Sequence, residues 1–300
     1  MQLSHPDMDR EFSFCIRFSG LTVRFILPTS VNLPDSFKPL ICEDIDNPTA
    51  EYKVCLLNTP LCPETEPIAK EGDTYIYVND KGCLRIYSAL TADDRCQVAC
   101  FLCPNGKNIL YYPAKMWDIY RKHWHCTHLL AGEALLLTFD SILLHSSLVK
   151  HNGKMLLFCG ASGAGKSTQA NLWQKYKNAE IINGDRAVIR KIDGIYCAGG
   201  SLWCGTSGIN KGDIAPIIGI FIIKQAKTNK IRQIKKEALL PLFTQTTINY
   251  WDSDFVNKVT NIYDGLLESV PIYELECTAD KNAVELVYDT ICIKETLNEN

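Results

Sequence analysis

Short alternating runs of apolar and polar residues open the chain, and the period changes near residue 113. Over 12–112 the runs are rich in β-branched and aromatic residues and are separated by turn residues, the pattern of strands. Phe12 to Phe18 and Leu21 to Leu27 flank Ser19-Gly20, and Tyr52 to Leu57 is a further candidate. Thr74 to Val78 and Cys83 to Leu90 are joined by Asn79-Asp80-Lys81-Gly82. Gln97 to Cys103 and Ile109 to Tyr112 are joined through Asn105-Gly106, another hairpin signal. The region reads as antiparallel β structure, with Pro60, Pro63 and Pro67 marking an extended surface loop. From Ala114 to about Thr138 the spacing becomes helical, with Met116, Trp117, Tyr120, Trp124, Leu129, Leu130, Ala134 and Leu135 on a wide apolar face.

Beyond that helix, strands and helices alternate. Ile142 to Val149 and Met155 to Cys159 are apolar runs joined by Asn152-Gly153, a tight-turn signal. Helical spacing follows over Ser167 to Tyr176, then strands over Ala179 to Ile182, Ala187 to Ile192 and Ile195 to Ala198. Gly199 to Gly208 reads as a flexible segment, and Pro216 to Ile223 as a central strand because its apolar run is nearly continuous. Helices are expected over Lys236 to Thr244, Phe255 to Glu268 and Asp280 to Thr290, with a last strand over Ile272 to Cys277. The expected division is a β-rich part over 1–113, a connecting helix over 114–140 and an α/β part over 141–300.

The candidate chemistry lies in the third part. Gly160-Ala161-Ser162-Gly163-Ala164-Gly165-Lys166-Ser167-Thr168 matches G-x-x-x-x-G-K-[ST], between a predicted strand and a predicted helix. Glycines there let successive backbone N–H groups turn inward around a phosphate, and the following helix presents its positive end to the same anion. Gly160, Ser162, Gly163, Ala164, Gly165, Lys166, Ser167 and Thr168 are therefore the expected phosphate-binding residues. Lys166 can reach the β- and γ-phosphates, and the Ser167 hydroxyl can ligate Mg²⁺. Asp185 ends a strand in Asn183-Gly184-Asp185-Arg186, where a carboxylate can face the metal or accept the proton of an attacking hydroxyl. His145 sits in the apolar strand that precedes the loop's own strand, where its ring needs a hydrogen-bond partner.

Composition narrows the class. The 300 residues are 46% hydrophobic and 22% charged with a formal net charge of −3, so nothing points to nucleic acid or an anionic membrane. No apolar stretch is long enough to span a bilayer, and the first residues lack a signal peptide, so a cytoplasmic location is expected. Most of the 14 cysteines lie in apolar runs, as reduced structural thiols do. Cys96, Cys100 and Cys103 have the C-x3-C-x2-C spacing of an iron–sulfur site but lie in a predicted strand, so structural thiols are preferred. His123, His125 and His128 scatter around the predicted helix and do not form a zinc pattern.

Together, Leu144-His145-Ser146-Ser147, the glycine loop and Asn183-Gly184-Asp185-Arg186 make residues from about 141 to 290 resemble the HPr kinase/phosphorylase family. The runs Gly165 to Trp173 and Ile182 to Ala187 look closest to its uncharacterised and peptide-modifying bacterial relatives. The resemblance implies the phosphoenolpyruvate carboxykinase-like P-loop fold, an α/β mixed sheet, preceded here by the β-rich region. It also implies ATP- and Mg²⁺-dependent phosphoryl transfer to a serine-type hydroxyl of a peptide, protein or small molecule. On that basis Lys166 and the loop hold the phosphates, Ser167 and Asp185 address the metal, and His145 stands beside the carboxylate. The family's consecutive aspartates are replaced by Gly184 and Asp185, and its Glu-Ile-Arg-Gly segment by Gly199 to Lys211, where Lys211 is either a phosphate contact or a surface lysine. Relatives of this class often form rings, which leaves a homo-oligomer open. Two alternatives stand beside the kinase: a nucleotide-binding regulator and a carboxykinase-like lyase.

Overall fold

The structure, a computed structural model of the chain, describes residues 11–87, 97–124 and 126–298. These divide into two units, one running to Arg17 and over Leu21–Leu135, the other comprising Phe18–Gly20 and the residues from Leu136 onward. Both contain multi-stranded sheets, and the second is a mixed α/β fold.

The first unit holds one nine-stranded sheet. In chain order its strands are β1 (Phe12–Phe18), β2 (Leu21–Leu27), β3 (Ile41–Cys42), β4 (Ala50–Leu57), β5 (Ala69–Glu71), β6 (Thr74–Asn79), β7 (Gly82–Tyr87), β8 (Val98–Leu102) and β9 (Lys107–Pro113). They lie side by side in the order β3-β1-β2-β4-β9-β8-β7-β6-β5. The sheet is mixed, which corrects the antiparallel expectation: β4 pairs in parallel with both β2 and β9. Parallel partners need a crossover, and a crossover leaves no local turn signal.

The helix expected over 114–138 is also corrected. The segment forms 3-10 turns at Ala114–Met116, Arg121–His123 and Thr127–Leu129, the single α-turn α1 (Trp117–Tyr120) and the short helix α2 (Gly132–Leu137). Its backbone is extended at Trp124 (ψ 96°) and left-handed at Ala131 (φ 46°). Trp117, Trp124, Leu129, Leu130 and Leu135 are buried all the same, but by threading an aromatic core. Trp124 meets Phe25 edge-on at 5.3 Å, and Phe25 stacks on Phe14 and Tyr52 at 5.2 and 5.7 Å. Aromatic and β-branched residues over 123–128 have modest helix propensity, so packing decides the path.

The second unit begins with β10 (Ser141–His151), β11 (Lys154–Cys159) and α3 (Lys166–Lys177). It continues through β12 (Glu180–Asn183), β13 (Arg186–Ile192), β14 (Ile195–Gly199), β15 (Ile214–Gln225) and β16 (Lys230–Ile234). Last come α4 (Leu239–Gln245), α5 (Ser253–Ser269), β17 (Ile272–Cys277) and α6 (Lys281–Asn298). The eight-stranded sheet has the order β11-β10-β13-β14-β15-β17-β16, with β12 beside β10 and a second pairing that returns β15 onto β11. β11, β15 and β17 run parallel, so their carboxyl ends share one edge.

Helices α3 and α6 cover this parallel part. Trp173 and Ala170 of α3 pack with Ala283, Val284 and Val287 of α6 over Phe158, Phe221 and Leu275. Both faces of β11 and of Phe221 to Ile223 in β15 are buried, which is why those sequences run apolar without alternation, whereas β17 alternates through Glu274 and Glu276. Trp173 is fully buried, and truncation to Ala would cost about 3–5 kcal/mol. Among the described residues, no helix is long and apolar enough to cross a membrane. The described cysteines are all free thiols, Cys96 and His125 fall outside the described residues, and His128 is exposed.

Candidate active site

Strand β11 delivers the glycine loop, and the loop's shape depends on its glycines. Gly160, Gly163 and Gly165 take φ values of 147°, 77° and 108°, which L side chains rarely adopt. A Cβ on Gly160 would come within 3.1 Å of both Ala164 Cβ and the Ile223 carbonyl, whereas the space beside Gly163 and Gly165 is open. The turn is fixed by the Ala164 N–H donating to the Ala161 carbonyl at 3.1 Å and by Gln225 Nε2 donating to the Gly163 carbonyl at 2.7 Å. Ser162, Ser167 and Thr168 are exposed at this edge. Lys166 is buried, and its Nζ donates to the carbonyls of Gly160 (2.9 Å) and Ala161 (3.2 Å). An ammonium has three donors, so one remains for a ligand. Burial pushes the Lys166 pKa below the usual lysine range.

Strand β10 brings the histidine to the same place. Its first half pairs with β13, setting His145 opposite Arg186, and its second half pairs with β11, setting Ser146 opposite Cys159. His145 therefore lies where β10 changes partner, next to the start of the loop. The turn carrying Asp185 is tied to β10 through the Ser146 N–H to the Asp185 carbonyl (2.9 Å) and Ser147 Oγ to the Gly184 carbonyl (3.1 Å). His145 Nε2 is 3.5 Å from Asp185 Oδ1, and Arg186 Nε is 3.5 Å from Asp185 Oδ2, both longer than a normal hydrogen bond. The carboxylate keeps acceptor capacity. Burial and then the Lys166 charge hold the His145 pKa below that of a free imidazole, against the opposing pull of Asp185. Arg186 is aimed by donating from Nη1 to Thr247 Oγ1 at 2.7 Å.

Asn183 organises this turn. It is fully buried, and its Oδ1 accepts from the N–H groups of Asp185 and Arg186, each at 2.9 Å. Its Nδ2 donates to the Ser201 carbonyl (3.3 Å) and to Asn210 Oδ1 (3.4 Å). The first part of the segment expected to be flexible is thus hydrogen-bonded and packed, with Ser201, Leu202 and Cys204 buried, whereas residues 205–208 are exposed. The segment presses on Asp185: a Cβ at Gly205 (φ 57°) would lie 2.8 Å from the Asp185 carboxyl carbon. A Cβ at Gly184 would overlap the Ser207 side chain, with Ser207 Cβ only 2.7 Å away. Ser207 therefore fills the space that a second acidic side chain would need. Lys211 pairs with Glu180 at 2.5 Å on the surface, which favours the surface-lysine alternative.

Sequence reasoning singled out His145, Lys166 and Asp185 but missed the side-chain roles of Asn183, Thr247 and Gln225. For Asn183 a signal existed, because Asn before a Gly commonly bonds the backbone two residues on. Thr247 and Gln225 lie far from the motif in sequence and left none.

Among the described residues, no group of three or more His, Cys, Asp or Glu could hold a metal. Mg²⁺ fits the residues present in another way, since it is commonly held by one or two protein oxygens with water and substrate phosphates. The exposed Ser167 hydroxyl and the Asp185 carboxylate, whose side-chain partners are no nearer than 3.5 Å, are protein oxygens of that kind.

No protein-family model matches the chain, and no curated protein does. Among solved structures, the chain is similar to the Hpr(Ser) kinase/phosphatase from Coxiella burnetii, with 10% identity and a TM-score of 0.29. The match covers 52% of this chain and 92% of that one. The likeness is remote.

Proposed function

We propose that the second unit is an ATP- and Mg²⁺-dependent phosphotransferase of the HPr-kinase-like class, on a phosphoenolpyruvate carboxykinase-like P-loop fold. Its acceptor is a serine-type hydroxyl of a peptide, protein or small molecule. The observation that carries this reading is the set of His145, Asp185 and Lys166 beside one glycine turn: His145 Nε2 lies 3.5 Å from Asp185 Oδ1, Lys166 Nζ donates to the Gly160 carbonyl, and Ser146, next to His145, lies opposite Cys159 at the loop's start.

In this reading the loop N–H groups and Lys166 bind the β- and γ-phosphate oxygens, fixing the γ-phosphoryl group toward Asp185. When bound, Mg²⁺ neutralises charge on the phosphates, and Ser167 and Asp185 are the residues that would hold it. Asp185 orients the acceptor hydroxyl and takes its proton as the new O–P bond forms and the bond to the ADP oxygen breaks. Metal and base duties fall on one carboxylate. His145, kept neutral by burial, adds no positive charge that would tie Asp185 down. The first unit serves acceptor recognition or assembly into a homo-oligomer.

A second reading is favoured by one observation, the Ser207 side chain in the space beside Gly184. A protein with a single carboxylate at this turn could bind ATP as a regulator without transferring phosphate. The test incubates the protein with γ-labelled ATP, Mg²⁺ and an extract of its own cell, beside Lys166→Ala and Asp185→Asn. The kinase reading expects a labelled species that Asp185→Asn reduces by at least about a hundredfold while ATP binding persists. ATP binding without label in the wild type would overturn it in favour of the regulator.

A further inference from the structure

β11 has β10 on one side and β15 on the other, so the glycine loop at its end faces two environments. His145 and Asp185 belong to the β10 side. On the β15 side, where the carboxyl ends of β11, β15 and β17 meet, a cavity of about 400 Å³ opens, lined by Gly165, Thr168, Gln169, Gln225 and Thr278 among others. Ligands of open α/β sheets bind outside the carboxyl ends of strands. For a nucleotide whose γ-phosphoryl group points to Asp185, this cavity on the loop's other side is open to its base.

Two polar side chains of the cavity wall are hydrogen-bonded within the protein. Gln225 Nε2 bonds the Gly163 carbonyl, and Thr278 Oγ1 bonds Asn229 and Asp280. Gln169, on the first turn of α3, is 2% exposed; its Nε2 donates to the Thr278 carbonyl (3.4 Å) and Cys277 Sγ (3.3 Å). Its Oε1 is buried with no hydrogen-bond partner. A buried acceptor without a donor is destabilising, and a donor group on a ligand in the cavity would relieve it. The 6-amino group of adenine is such a donor, whereas guanine presents a carbonyl oxygen at that position.

We infer that this cavity is the base site of the nucleotide and that Gln169 determines its specificity, with Oε1 accepting from the 6-amino group of adenine. The inference rests on the loop being a phosphate site. The test compares the affinities of ATP, GTP, purine riboside triphosphate (which lacks the 6-amino group) and inorganic tripolyphosphate by titration calorimetry. The wild type is expected to prefer ATP over the other two nucleotides by about tenfold or more, the size of one buried hydrogen bond. Gln169→Met should reduce that preference to about twofold or less and leave tripolyphosphate binding unchanged. Equal binding of the three nucleotides by the wild type, which needs no variant to fold, would overturn the base site alone. Tripolyphosphate binding that ignores Lys166→Ala would overturn the phosphate site, and the inference with it.

Discussion

Replacing Asn183 with Ala removes the side chain that shapes the Asp185 turn without touching the loop. Two 2.9 Å bonds to the N–H groups of Asp185 and Arg186 are lost, along with the longer bonds to Ser201 and Asn210. At about 1 kcal/mol for each short bond, and more for donors left without water, the loss should be about 2–4 kcal/mol. For a unit of this size that lowers Tm by roughly 5–15 °C. Asn183→Asp keeps an acceptor for the two N–H groups but turns a second oxygen on the Ser201 carbonyl and Asn210 Oδ1, so it should destabilise by a similar amount. The functional signature is separate from the stability loss. A carboxylate displaced by about 1 Å costs about a hundredfold in rate, while ATP affinity, set by the loop, should hold. Urea unfolding followed by tryptophan fluorescence and label transfer from γ-labelled ATP measure the two effects. An Asn183→Ala protein within 0.5 kcal/mol of wild type, a spread of about the size expected for neutral surface changes, with unchanged transfer would refute the reasoning.

Gly184→Ala should cost about 1–3 kcal/mol by overpacking against Ser207, and adding Ser207→Gly should remove most of that cost. Equal urea midpoints for Gly184→Ala and wild type would contradict it. His145 has a pKa held below the free value, so the folded protein binds fewer protons there than the unfolded chain and loses stability as pH falls below about 6.5. His145→Gln should therefore show a shallower loss of urea stability between pH 7.5 and 5.5, and parallel curves would rule out this assignment.

How much was legible differs between the two units. The glycine loop was plain because its conformation needs glycine at fixed positions, and the motif's two fixed glycines, Gly160 and Gly165, both adopt positive φ. The nearness of His145 and Asp185 depends on β10 pairing with β13 and β11, a non-local fact that periodicity cannot carry. Asp185 is aimed by Asn183, Ser201 and Asn210, and only the first sits beside it in sequence. The first unit was harder. Its β2–β4–β9 pairings are parallel crossovers without turn signals, and Trp117, Trp124 and Leu129 keep helical spacing although the chain between them leaves the helix to enter an aromatic core. Exposed edge strands such as Lys230–Ile234 alternate too weakly to stand out.

The central claim is that Gly160 to Thr168 holds nucleotide phosphate through Lys166. Titration calorimetry of ATP with Mg²⁺ into wild type and Lys166→Ala tests it directly. The account predicts binding by the wild type and a loss of about a hundredfold or more in the variant, the size of one or two charge-assisted hydrogen bonds. Equal affinity in the two proteins, or no binding by the wild type at millimolar ATP, would contradict it.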